Sequence, residues 1–244
     1  MTGEQLQSKR RTIISFSIKI TIILIAIFII AILLFKHYIQ NDTQIPLKIN
    51  KILTVSTASG VQDEEGDTIW DLNLNQDNDI YIYLEPNKNY ANKEKVKKIT
   101  IEKFSVIKQS KIGTIEIHKD LDETNTPIKK IEYNIVDIKP DLGINNICEK
   151  GGVIKFKISN TNVGEYISNE EVAINHDGTI LEKVNINLED IKFDISFNLV
   201  IENTDGKKYS KKITLNLPVD NILEAGVETK EITDSSGTKF ERLY

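Results

Sequence analysis

One cysteine, Cys148, stands in 244 residues, so no internal disulfide can staple the fold and its core must hold it. Its position also excludes a lipoprotein anchor, which needs a cysteine near the amino terminus. Cys148 reads as a small buried apolar residue rather than a reactive thiol. Histidine is scarce too, at three residues. His118 and His176 lie beyond residue 40, and neither has a second histidine at helical or hairpin spacing, so zinc lacks a ligand set. Both read as solvent-facing polar side chains. No nucleophile-elbow pattern occurs and no motif surrounds Cys148, so neither a Ser-His-Asp nor a Cys-His site is legible. No catalytic residue, cofactor or metal is expected.

Aliphatic side chains, by contrast, crowd into one place. Thr12–Phe35 reads TIISFSIKITIILIAIFIIAILLF and follows Lys9-Arg10-Arg11. As a helix, Ile13–Phe35 would span roughly 34 Å, enough for a hydrocarbon core of ~30 Å. Lys19 interrupts the run, yet its stem reaches back to the headgroups on the basic side. A shorter span would begin at Ile20. Positive charge before the segment, against Lys36 alone just after it, puts residues 1–11 in the cytoplasm and the chain beyond Tyr38 outside. The run ends AILLFKHYIQ without a small-x-small pair, which argues against a cleaved signal peptide. The reading is a cytoplasmic tail (1–11), an uncleaved single-pass signal-anchor helix contacting the lipid bilayer (12–38) and a spacer (39–45). Within the helix, Ala26 and Ala31 are five apart and glycine is missing, so no small-xxx-small dimer motif is present.

Residues 1–40 carry Lys9, Arg10, Arg11, Lys19 and Lys36 against Glu4, so the chain's net −5 leaves −9 on residues 41–244. An acidic ectodomain does not suggest nucleic acid. Asn41-Asp42-Thr43 fits a glycosylation acceptor but reads as polar linker.

After Pro46 the hydrophobic period is two. Trp70, Leu72 and Leu74 alternate with Asp71, Asn73 and Asn75; Ile80, Ile82 and Leu84 alternate with Tyr81, Tyr83 and Glu85. Ile99 with Ile101, Ile115 with Ile117, and Ile131, Tyr133 and Ile135 continue the pattern. Val153, Lys155 and Lys157 then oppose Ile154, Phe156 and Ile158. The clearest hairpin turns at Asn203-Thr204-Asp205-Gly206, between Ile195–Ile201 and Tyr209–Leu217. Helical signals are few: Asn92–Lys98 as a turn or two, and Thr179–Asn185 as a short helix with Asp177 or Thr179 as cap, with a short hairpin strand as the alternative there. The expected fold is all-β, an antiparallel β-sandwich (Ig-like or jelly-roll-like) over 46–219, preceded by one transmembrane helix. Two Ig-sized units dividing near 140–149 are the alternative, and 220–244 reads as a polar tail on which Ile232 or Phe240 docks.

Two surface features offer chemistry. Asp63-Glu64-Glu65-Gly66-Asp67 is an acidic turn of the kind that binds calcium when enough oxygens converge. Asp71–Asn75 resembles the opening of an EF-hand loop, but Gln76 replaces the required glycine and Ile82 the bidentate glutamate, so it reads as the wet face of a strand. Tyr81 and Tyr83 share the face opposite Ile80 and Ile82, which makes them the candidate contacts for a partner or glycan. Trp70, aligned with Leu72 and Leu74, reads as core.

The runs ISNTNVGEYIS (158–168), INHDGTIL (174–181) and ISFNLVIENTDGKKY (195–209) resemble ectodomains of uncharacterised single-pass membrane proteins of low-GC Gram-positive bacteria. The resemblance covers the C-terminal half and implies a location without an activity. The expected function is a non-enzymatic, membrane-anchored extracytoplasmic interaction domain that binds a protein partner or a cell-envelope component. Alternatives are a carbohydrate-binding module of the envelope and an envelope hydrolase with a dispersed site.

Overall fold

The computed structural model describes residues 18–34, 45–63, 69–90, 93–119, 128–135, 144–169, 179–233 and 240–243. Residues 18–34 form a helix, α1, in which every side chain is exposed. Among the described residues no helix is long and apolar enough to cross a membrane. The basic cluster Lys9-Arg10-Arg11, residues 35–44 with Asn41–Thr43 among them, Glu64–Asp67, and His176 with Asp177-Gly178 lie outside the described residues.

Eleven strands follow among the described residues: β1 (Leu47–Gln62), β2 (Trp70–Pro86), β3 (Val96–Lys108), β4 (Thr114–Lys119), β5 (Lys130–Asn134), β6 (Ile147–Cys148), β7 (Gly151–Ser168), β8 (Phe193–Asn203), β9 (Lys208–Leu217), β10 (Val227–Thr233) and β11 (Glu241–Leu243). Short helices α2 (Ile180–Lys183), α3 (Leu188–Ile191) and α4 (Ile222–Ala225) lie among the later ones. The strands form two antiparallel sheets. One runs β10-β1-β2-β7-β4 with β6 against β7; the other runs β11-β9-β8-β3-β5. Both draw strands from either side of residues 140–149.

Alternation places the inward residues as expected. Ile80, Ile82, Ile154, Phe156 and Ile158 from the first sheet meet Ile99, Ile101, Ile195, Phe197 and Leu199 from the second in one buried apolar layer. The first sheet runs on beyond this layer. There its Leu72, Leu74 and Val163 pack with Ile180, Leu181, Ile191 and Ile222 from the three short helices, which make a second apolar cluster. Between the clusters lies a buried polar belt of Thr54, Ser56, Gln76, Asn78 and Asn160. The two-sheet packing is consistent with the expected β-sandwich.

The hairpin forms where predicted. Glu202 pairs with Lys208, Gly206 takes φ +82°, and the Asp205 carboxylate accepts from the Lys207 amide. At the other end, Gly151 takes φ +95° where an added Cβ would lie 2.2 Å from the Leu84 carbonyl oxygen, so this close strand approach requires glycine.

The polar run Gln76-Asp77-Asn78-Asp79 joins the two alternating stretches on either side of it into one strand, β2, with Gln76 and Asn78 fully buried and the period-two pattern unbroken. Three expectations are corrected. The helical reading of Asn92–Lys98 fails over its described residues, because Val96 is buried and opens β3 against Asn203. The helix near Thr179 exists, but the Thr179 side chain makes no capping hydrogen bond. The C-terminal segment, expected as a polar tail on which Ile232 or Phe240 docks, does dock through both residues, but over its described residues it is also paired into both sheets. β10 pairs with seven residues of β1, β11 pairs with β9, and Phe240 is buried in the main core. Its polarity reflects edge-strand positions, where charged side chains face solvent and guard an open edge.

Candidate functional site

Tyr81 and Tyr83 stand on the outward face of β2 because Ile80 and Ile82 take the inward one. β2 lies between β1 and β7, so register decides their neighbours. Leu53 and Lys155 flank Tyr81, while Lys51 and Val153 flank Tyr83. The Lys155 ammonium sits 5.4 Å from the Tyr81 ring centroid and the Lys51 ammonium 4.9 Å from that of Tyr83. Each cation is therefore held over a ring, where the negative face of the π-system attracts it.

Carboxylates fix both lysines. Lys51 Nζ donates to Glu231 on β10 at 2.7 Å, and this bond raises the lysine's pKa above its ordinary value. Lys155 Nζ lies 3.1 Å from Asp79, two residues before Tyr81 on the same face. Asp79 Oδ1 is buried without a hydrogen-bond partner. One step further along, Asp77 accepts from the Ser59 and Ser159 hydroxyls at 2.7 and 2.5 Å. The result is a row of two phenols with pinned cations, backed by fixed carboxylates. Such a face can recognise a partner by stacking and hydrogen bonding.

The other candidate residues are dispersed. His118, on β4, is 14% exposed rather than solvent-facing, with Nε2 3.3 Å from Glu116 on the same strand face. Cys148 is half-buried rather than buried. Its sulfur accepts from the Lys150 amide at 3.3 Å and donates to the Gly151 carbonyl at 3.5 Å, which ties it into the β6–β7 turn. Of the acidic loop Asp63–Asp67 only Asp63 is described, its amide donating to the Asp71 carbonyl. Asn75 Oδ1 accepts from the Asn162 amide across to β7. Trp70 is half-buried against the second cluster rather than in the main core. No group of three histidines, cysteines or carboxylates among the described residues could hold a metal ion.

The tyrosine pair is readable from alternation alone, but its lysine and carboxylate neighbours are not. Lys51 reaches Tyr83 only because pairing shifts between Ile49 and Lys51, an irregularity with no local sequence signature. Compared with known proteins, the chain matches no family model, no curated protein and no solved structure.

Proposed function

We propose that the chain is a membrane-anchored, extracytoplasmic interaction domain without catalytic activity, with an immunoglobulin-like sandwich as its binding body. The observation that carries this reading is the Tyr81–Tyr83 pair, held half-exposed on a central strand with a lysine over each ring. Rigid tyrosines lose little conformational freedom on contact, and they recur at protein interfaces for that reason. The anchor is supported by α1, whose aliphatic side chains are all exposed and so present an apolar surface suited to lipid. With residues 1–11 cytoplasmic, the sheets would face the cell exterior.

Strand order supports immunoglobulin-like over jelly-roll-like topology. The run β1-β2-β7-β4 against β9-β8-β3 follows the A-B-E-D and G-F-C sheets of a constant-type domain. β5, β10 and β11 extend the edges. In place of the usual disulfide with its tryptophan, Phe104, Phe156 and Phe197 fill the centre.

A protein partner is favoured over carbohydrate because a lysine occupies one face of each ring, removing that face from sugar stacking. The test is in-cell crosslinking from the full-length anchored chain, wild type against a Tyr81→Ala/Tyr83→Ala variant at equal surface level. Loss of a discrete crosslinked protein in the variant is expected. Unchanged crosslinking would remove the tyrosine face, and binding of the wild-type chain on a glycan array would favour the carbohydrate reading instead.

A further inference from the structure

Pairing fails at two places in the buried polar belt, at the single hydroxyl of Thr54 and at a cluster of amide atoms on Gln76 and Asn160. Ser56 and Asn78 are satisfied: the Ser56 hydroxyl donates to Asn78 Oδ1 at 2.7 Å and accepts from the Val219 amide, and Asn78 Nδ2 donates to the Ile158 carbonyl. In the next row Gln76 pairs across the sheet with Asn160. Both side chains are fully buried. Yet Gln76 Oε1, Gln76 Nε2 and Asn160 Oδ1 have no hydrogen-bond partner.

Local structure holds these amides in place. Asn160 Nδ2 donates to the Ile112 carbonyl at 3.1 Å. Its oxygen occupies the space that a side chain at residue 113 would fill, since a Cβ on Gly113 would lie 2.2 Å from Asn160 Oδ1. Beside Gln76 the ladder is interrupted. Leu74 pairs with Gly164 and Gln76 with Asn160, so β7 bulges outward there and Asn162 takes φ +56°. Unpaired buried amide atoms are costly against the small net stability of a domain, so native cores satisfy them.

We propose that Gln76 and Asn160 form a binding site for one ordered internal water. The three open atoms suit it: Gln76 Nε2 donates to the water oxygen, and the water's two protons go to Gln76 Oε1 and Asn160 Oδ1. Three partners are the usual complement of a buried water. An ion does not suit the site, because the amides are neutral and Leu74 and Val163 beside them are apolar, leaving a charge uncompensated. The water joins the main apolar core to the second cluster through β2 and β7.

A crystal structure of the full chain at a resolution that shows ordered solvent tests this. A single water within ~2.7–3.2 Å of both Gln76 and Asn160 is the expected result. A direct Gln76–Asn160 amide bond, or apolar atoms packed against both amides, would overturn it. In Gln76→Leu the water should vanish while the Ser56–Asn78 bond remains; a water kept in that variant would overturn the role given to Gln76. Gly113→Ala should displace the Asn160 oxygen and lose the same water.

Discussion

Phe156 on β7 meets Phe197 on β8 edge to face, with ring centroids 5.2 Å apart, and the contact crosses from one sheet to the other. Phe104 on β3 closes the triangle at 5.9 and 5.8 Å. In a chain with a single cysteine, this triad links the two sheets through aromatic contact among the described residues. Truncating Phe197 to Ala should cost about 3–5 kcal/mol. Denaturant unfolding of the full chain would measure it, and a loss well under ~1 kcal/mol would show that the triad does not hold the sheets together.

Acid should weaken the second sheet first at its ion pairs. Glu132 on β5 accepts from Lys130 at 2.5 Å and Lys98 at 3.0 Å, and these bonds pull its pKa down to about 2. A lowered folded value stabilises the fold at pH above the unfolded glutamate value of ~4.3, and that contribution is lost as pH falls toward 2. Because Glu132 is 41% exposed, the effect is small and salt-sensitive. Glu202, 9% exposed between Lys97 at 2.9 Å and Lys208 at 3.6 Å, has its pKa lowered chiefly by the Lys97 bond and should act in the same direction. Unfolding midpoints across acid pH should fall less steeply for a Glu132→Gln/Glu202→Gln variant. Parallel profiles would rule these pairs out as the acid-sensitive element.

Two glycines with similar φ should respond differently to alanine. At Gly206 nothing lies within 4 Å of an added Cβ, so Gly206→Ala meets only the backbone preference, on the order of 1 kcal/mol. At Gly151 the same change drives a methyl onto the Leu84 carbonyl and should cost several-fold more. Equal melting-temperature losses would contradict the close approach of β2 and β7 at that point.

The C-terminal strand should prove structural. Phe240 is 6% exposed in the main core, with Lys211 Nζ 5.9 Å from its ring. Phe240→Ala should destabilise by about 3 kcal/mol in equilibrium unfolding. A loosely held tail would leave the unfolding midpoint unchanged.

Legibility in the sequence followed the physics of burial. Where one face is apolar, as in Ile80–Leu84 or Ile195–Ile201, alternation alone identified the strand and its inward residues. It also placed Tyr81 and Tyr83 outward, leaving only their neighbours to be found. It failed at Gln76 and Asn78, because a polar residue at an inward position breaks the only signal periodicity carries. It failed again over 220–244, where the edge strands take their structure from partners far away in sequence. The Lys155–Asp79 and Lys51–Glu231 pairs were illegible for a related reason: cross-strand register is a property of the sheet, not of either segment.

The length of the first hairpin has a mechanical consequence. β1 runs 16 residues and β2 17 without a break, so at ~3.3 Å per residue Gln62 stands roughly 50 Å from Leu47. Paired with β7 along nearly all of β2 and with β10 over Lys51–Thr57 of β1, the hairpin behaves as a stiff strut rather than a tether. A chain fastened at its amino terminus would then have its reach set by strand count. Lengthening the linker before Leu47 would change where the strut pivots, but not how far its tip extends from that pivot.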